Sequence, residues 1–157
     1  MPTRAPPHTT DDPLSLAFDE ARRAALAGEV PVGAVVVRDG RVIAAAHNRP
    51  RALKDPTAHA EILAIRAACG ILGDERLTGC DLYVTLEPCP MCAGAIAFAR
   101  IRRLYFGAYD PKGGGVEHGP RVFNQPTCHH APEVYGGFRE AEAAGLLRAF
   151  FAERREP

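Results

Sequence analysis

A chain of 157 residues, 46% apolar, is long enough for one domain with a buried core and short for two. Nineteen Lys and Arg balance nineteen Asp and Glu, so no acidic or basic excess announces a nucleic-acid or membrane-surface partner; only a local basic patch stays open. No apolar run approaches a membrane span, and Met1 to Pro13 is polar and proline-rich without a secretory core, so a cytoplasmic protein with no membrane partner is expected.

Residues 1–13 read as a flexible tail and 14–157 as a single domain. From Leu14 to Ala27 apolar residues recur at helical spacing (Leu14, Ala17, Phe18, Ala21, Ala25), an amphipathic helix stopped by Gly28. Val32 to Val37 is β-branched and apolar, and Asp39-Gly40 turns it into Val42 to Ala46, a hairpin. Asn48 to Pro56 reads as a loop carrying Arg49, Arg51 and Lys54. Thr57 is placed to cap a helix from Ala58 to Cys69, closed by Gly70. A strand over Asp81 to Leu86, a helix over Pro90 to Arg100 and a strand over Arg103 to Gly107 follow. Ala108 to Pro132 is a long loop rich in Gly, Pro and His, a length that usually marks function or mobility. Glu133 to Tyr135 reads as a short last strand, and Phe138 to Glu153 as a helix interrupted at Gly145. Alternating strands and helices predict an α/β fold whose sheet opens with a hairpin and carries helices on both faces.

Two short segments hold the chemistry: His59-Ala60-Glu61 and Pro88-Cys89-Pro90-Met91-Cys92. Five cysteines in a chain without secretory features read as thiols or metal ligands rather than disulfides. One imidazole and two thiols make three zinc ligands; a structural site fills all four positions, whereas a catalytic one leaves the fourth to water. The spare Glu61 is what hydrolysis by zinc-bound hydroxide requires. Cys89 and Cys92 are three apart, so at a helix start both sulfurs can grip one ion at roughly 2.3 Å. Free amides and the positive ends of the helices favour the thiolate that ligates. His59 and Glu61, two apart, share a cavity only at a helix entrance, where the backbone still turns. A lone C-x-x-C is often a structural half-site or redox pair, but no second C-x-x-C is present to close a structural site.

These residues resemble the zinc-dependent cytidine and adenosine deaminase superfamily, in which the H-x-E and P-C-x-x-C segments recur. Gly28-Glu29-Val30-Pro31-Val32-Gly33-Ala34, Asn48-Arg49, Asp55-Pro56-Thr57-Ala58-His59-Ala60-Glu61 and Tyr83-Val84-Thr85-Leu86-Glu87-Pro88-Cys89 are similar to its bacterial tRNA-specific adenosine deaminase branch. The likeness runs from Leu14 to Arg155. It implies a three-layer α/β/α cytidine-deaminase-like fold on a mixed five-stranded sheet. It also implies hydrolytic deamination of the wobble adenosine in a tRNA anticodon stem-loop to inosine, by a homodimer with one Zn2+ per subunit. Carried over by position, His59, Cys89 and Cys92 hold zinc, and Glu61 shuttles a proton from water to adenine N1 and then to the departing ammonia. Asn48 matches a pocket asparagine that hydrogen-bonds the flipped nucleotide, although a turn asparagine after a strand is as natural a reading. Backbone groups of Leu86 to Cys89 flank the reacting centre. Asp110 and Lys112, with Phe150, Phe151, Arg154 and Arg155 of the terminal helix, match positions facing the anticodon. An aromatic pair beside arginines suits a splayed single-stranded loop, while buried Phe with a solvated charged tail is the plainer alternative.

Two other functions compete. A deaminase of free guanine, cytosine or cytidine shares both metal segments, and Glu87-Pro88-Cys89-Pro90-Met91-Cys92 also occurs in guanine deaminases. A nucleic-acid-binding module with structural zinc is the other. Arg49, Arg51, Lys54 and Lys112 favour a phosphate-bearing substrate. Arg100, Arg102 and Arg103 could form a basic patch across two subunits or simply close a helix. Cys128-His129-His130 offers a second metal cluster, but bracketing prolines and diverging adjacent histidines favour an ordinary loop. Cys69 and Cys80 read as packing residues, His47 as a pocket-entrance residue, and His8 and His118 carry no signal.

Overall fold

A computed structural model describes residues 12–154. Of the expected tail, residues 1–11 lie outside that range. Asp12 and Pro13 belong to the first helix: Asp12 accepts the Leu14 N–H at 3.1 Å as N-cap, and Pro13 occupies the first turn.

The chain runs α1 (Pro13–Leu26), β1 (Gly33–Arg38), β2 (Arg41–His47), α2 (Pro50–Leu53), α3 (Ala60–Leu72), β3 (Cys80–Leu86), α4 (Pro90–Ala99), β4 (Arg103–Ala108), a 3-10 turn (Val122–Asn124), β5 (Glu133–Tyr135) and α5 (Glu140–Arg154). The sheet order is β2-β1-β3-β4-β5. β1 is antiparallel to β2 and to β3, whereas β3, β4 and β5 run parallel. The mixed five-stranded sheet with an opening hairpin is therefore the one expected.

Alternation along the strands splits the core in two. Ala34, Val36, Leu82, Val84, Leu104 and Phe106 face α3 and α4, packing on Ala60, Ala64, Ala93 and Ile96. Val35, Val37, Tyr83 and Tyr105 face α1 and α5, with Phe18 and Ala143. Phe18 is fully buried, which stabilises the fold by about 2–3 kcal/mol. The Arg139 guanidinium, at the entrance to α5, sits 4.3 Å from the Phe18 ring centroid and donates to Ser15 Oγ, tying α5 to α1. α1 reaches the sheet at Gly33, where a Cβ would stand 2.0 Å from the Ala17 carbonyl oxygen. Only glycine allows that approach.

Several boundaries differ from expectation for local reasons. α3 continues past Gly70, which is exposed and structurally undemanding, to Gly73, whose φ of 69° permits the left-handed turn that ends it. Thr57 does not cap α3. Its N–H and hydroxyl both serve Asp55 Oδ1, at 2.9 and 2.7 Å, closing the turn before the helix. The 48–56 loop contains a helical turn, α2, because the buried Glu29 accepts the Arg51 and Ala52 amides at 3.1 and 2.8 Å. α5 runs unbroken through Gly145. Among the described residues no helix is long and apolar enough to cross a membrane.

Candidate functional site

The site lies where α3 and α4 begin, beyond the carboxyl end of β3, the position at which open α/β sheets bind ligands. His59 and Cys89 are the N-caps of the two helices, with extended backbone (ψ 154° and 171°) that throws each side chain ahead of its helix. Cys92 sits within the first turn of α4, buried. Neither cap side chain serves its own helix, so both stay available. In α3 the capping bond comes from outside: buried Asn48 Oδ1 accepts the Ala60 N–H at 2.7 Å, pinning the peptide between His59 and Glu61.

His59 Nδ1 lies 3.6 Å from Cys89 Sγ and 3.5 Å from Cys92 Sγ. Tetrahedral zinc, with bonds of about 2.3 Å to sulfur and about 2.0–2.1 Å to nitrogen, sets ligand atoms about 3.6 Å apart. The three donors thus fit the ion, and they form the one such cluster found among the described residues. Their protonation is uneven. The hydrogen bond from Cys92 pushes the Cys89 thiol down to about 4, with His59 adding to it against the penalty of burial. That hydrogen bond and burial hold the Cys92 thiol far above the usual range. His59 is raised, chiefly by its hydrogen bond to Cys89, against desolvation.

Glu61, in the first turn of α3, is 4% exposed. Burial pushes its carboxyl up to about 7; the Cys89 charge adds to this, while its own amide, His59 and the Cys92 thiol oppose it. A carboxyl balanced near neutrality can both accept and return a proton.

The remaining expected residues fall into two groups. Asn48, Phe150, Phe151 and Arg154 line one cleft of about 240 Å3, together with Arg51 and the Gly28–Val30 segment. Phe150 is buried beneath the Arg154 guanidinium, 3.7 Å from its ring centroid, whereas Phe151 is 49% exposed. Only Phe151 offers an open ring. Arg155 lies outside the described residues. Asp110 and Lys112 do not line this cleft; they sit on the loop after β4, where Asp110 Oδ1 accepts the Lys112 and Gly113 amides at 3.2 and 3.0 Å. Asp110 shapes a turn there, and Lys112 is exposed.

The other expectations divide between correction and agreement. Arg102 is held by Asp81 through two 3.0 Å bonds and Arg103 faces Glu133 at 3.5 Å, so these cations are paired within the subunit. Arg100 closes α4 in a left-handed conformation and bonds the Ala97 carbonyl. The Cys128 thiol and the His130 ring turn to backbone carbonyls (its own loop's His130 and Ile101), consistent with an ordinary loop. Cys80 is buried and Cys69 partly so, as packing residues. His47 pairs with Glu20 at 2.8 Å instead of lining the pocket. His8 falls outside the described residues. His118, which carries no local signal, bonds Glu87, 31 residues away. Buried Glu29 and Glu87 are the organising residues that sequence reasoning missed; their trace is a carboxylate set among apolar neighbours at a strand or helix boundary.

The zinc-binding region of cytidine and deoxycytidylate deaminases matches residues 8–108 as a family model. The tRNA-specific adenosine deaminase of Agrobacterium fabrum is 66% identical over 142 residues, 90% of this chain and 93% of that protein. A solved structure from studies of A-to-I editing by tRNA:A34 deaminases at the wobble position superposes with a TM-score of 0.85 at 66% identity, covering 86% of this chain and 98% of that one. A guanine deaminase from Bacillus subtilis superposes with a TM-score of 0.63 at 34% identity, covering 92% and 93%. The chain thus belongs to the zinc-dependent cytidine and deoxycytidylate deaminase family, alongside the tRNA-specific adenosine deaminases.

Proposed function

We propose that this protein converts the wobble adenosine of a tRNA anticodon to inosine, replacing the adenine 6-amino group with oxygen from water and releasing ammonia. The observation that carries the reading is the convergence of two thiols and one imidazole beside a buried carboxyl. The relatives at 66% identity act on tRNA, which selects the substrate class.

His59, Cys89 and Cys92 would hold zinc through Nδ1 and two sulfurs. When bound, zinc supplies a Lewis acid that makes water nucleophilic at neutral pH. Glu61 would take a proton from the attacking water and deliver it to adenine N1, then take the proton of the new C6 hydroxyl and pass it to the amine, which leaves as ammonia. Desolvation in its pocket raises its pKa and the charge of a bound zinc would lower it, two opposed effects that together must leave a group able both to take and to give a proton. Asn48 uses its oxygen to fix the start of α3, so toward a nucleotide it offers its amide group. The Phe151 ring, with Arg51 and Arg154 beside the cleft, suits an unstacked base and its phosphates.

A second copy of the chain fits the exposed apolar face of α4. Phe98 there is 75% exposed, flanked by Ile62 and Ile65 of α3 and by Ala95. Sedimentation equilibrium at micromolar protein should give twice the chain mass; a monomer mass throughout would remove the homodimer from this reading.

The free-base alternative keeps one specific support, the likeness to a guanine deaminase. Purified zinc-loaded protein incubated with an ACG anticodon stem-loop should form inosine at the wobble position, with guanine and cytosine turned over poorly. Efficient turnover of either base without inosine in the stem-loop reverses the assignment.

Glu61→Ala should retain zinc and stem-loop affinity yet lose inosine formation by about 1,000-fold or more, because only the proton relay has gone. Activity within a few-fold of the parent would refute the role. Metal binding tests the ligands separately. In the metal-free site Cys92 keeps its proton, and ligation must expel it. Zinc affinity should therefore fall by at least about tenfold for each unit that the pH drops between 8 and 6. A competition titration showing no pH dependence would contradict ligation by Cys92.

A further inference from the structure

Glu87 takes no part in the chemistry above, yet its buried carboxylate accepts five hydrogen bonds from one loop. Oε1 receives the Asp110 N–H at 2.9 Å and the His118 ring Nδ1–H at 2.8 Å. Oε2 receives the Val116, Glu117 and His118 amides at 3.2, 2.8 and 3.1 Å. Three successive amides thus turn inward onto one oxygen. Left without an acceptor in that interior, each would carry an uncompensated desolvation penalty.

The same loop is stitched to the segment leading into α4. Glu87 N–H donates to the Ala108 carbonyl and Gly115 N–H to the Pro88 carbonyl, both at 2.8 Å. Glycine makes this contact possible: a Cβ would stand 2.4 Å from Glu87 Oε2 at position 114, and 2.5 Å from Pro90 N at position 115. Val116, 4% exposed, is drawn into the core beside α4. The loop therefore lies against Pro88 to Pro90 through Gly115, and Asp110 and Lys112 stand at its start.

We infer that Glu87 is a positioning residue for the RNA: its carboxylate latches residues 110–118 onto the metal-bearing segment and so holds that loop, with the exposed Lys112 on it, in one place against the segment. This rests on RNA being the substrate. A rigid loop has already lost the freedom that binding would otherwise have to remove, so an intact latch lowers KM more than it raises kcat.

The test uses full-length, zinc-loaded protein carrying Glu87→Gln. Glutamine keeps the volume but turns one acceptor oxygen into a donor facing amides that need an acceptor. Amide exchange at Val116, Glu117 and His118 should accelerate, and KM for an ACG stem-loop should rise, each by about tenfold, with kcat within about threefold and zinc stoichiometric. Faster exchange with unchanged KM overturns the role in RNA binding. Lost zinc, or a fall in kcat at constant KM, overturns it equally, because Glu87 would then be acting on the metal segment. His118→Ala guards against misfolding of the first variant: it removes a half-exposed partner and should shift exchange and KM in the same direction, by about threefold. If neither quantity moves in that variant, the latch is refuted. A parent protein inactive on the stem-loop would sink the RNA reading instead, and amide exchange, which needs no substrate, tells the two failures apart.

Discussion

Two helices that start side by side, each with its first metal-binding donor on the cap residue, set the terms for everything else in this site. A side chain within a helix lies along the helix surface, and one on the cap projects past the end. His59 and Cys89 both occupy caps with extended backbone, which is why donors 30 residues apart in the chain approach to 3.6 Å. The arrangement has a cost. A helix whose cap residue is spent on a metal leaves its first amides without their usual partner. In α3 that debt is met by Asn48, whose Oδ1 takes the Ala60 N–H. Asn48 is thus built into the frame that aims both His59 and Glu61, and any amide contact to a nucleotide comes in addition.

The fold was legible in the sequence to the extent that local pattern determines it. Alternating apolar strands and one Asp-Gly turn predict the sheet and its hairpin, and the residues carrying the two cores fall on opposite faces by period alone. Each metal segment is legible because the spacing inside it, His59 to Glu61 and Cys89 to Cys92, is local, although the two segments lie 30 residues apart. What escaped was set by distant partners. Thr57 has the chemistry of a cap, yet Asp55 competes for it two residues away and wins, while the true cap acceptor, Asn48 Oδ1, comes from twelve residues upstream of Ala60. Gly70 looks like a stop, but a glycine ends a helix only where the chain must turn left-handed, and that happens at Gly73. Arg102 and Arg103 read as an open basic patch only because Asp81 and Glu133 are distant in sequence.

Three buried glutamates show how environment alone separates framework from chemistry. Glu29 and Glu87 each accept amides from another segment, two in the first case and four in the second. For Glu87, burial opposes the charge, but the amides of Asp110, Glu117 and Val116 and the His118 ring outweigh it and hold the carboxyl below its ordinary range. Such a group is fixed in one protonation state and serves as a structural anion. Glu61 has no comparable set of amides. Burial dominates there and the Cys89 charge adds to it, while its own amide, His59 and the Cys92 thiol favour the charged form without overcoming burial. Giving it the amide donors that Glu87 enjoys would drive its pKa down and remove its capacity to donate. The sparser hydrogen bonding of Glu61 therefore suits a proton relay, and the dense hydrogen bonding of Glu87 is what lets the surrounding loop be held still without drawing on the catalytic carboxyl.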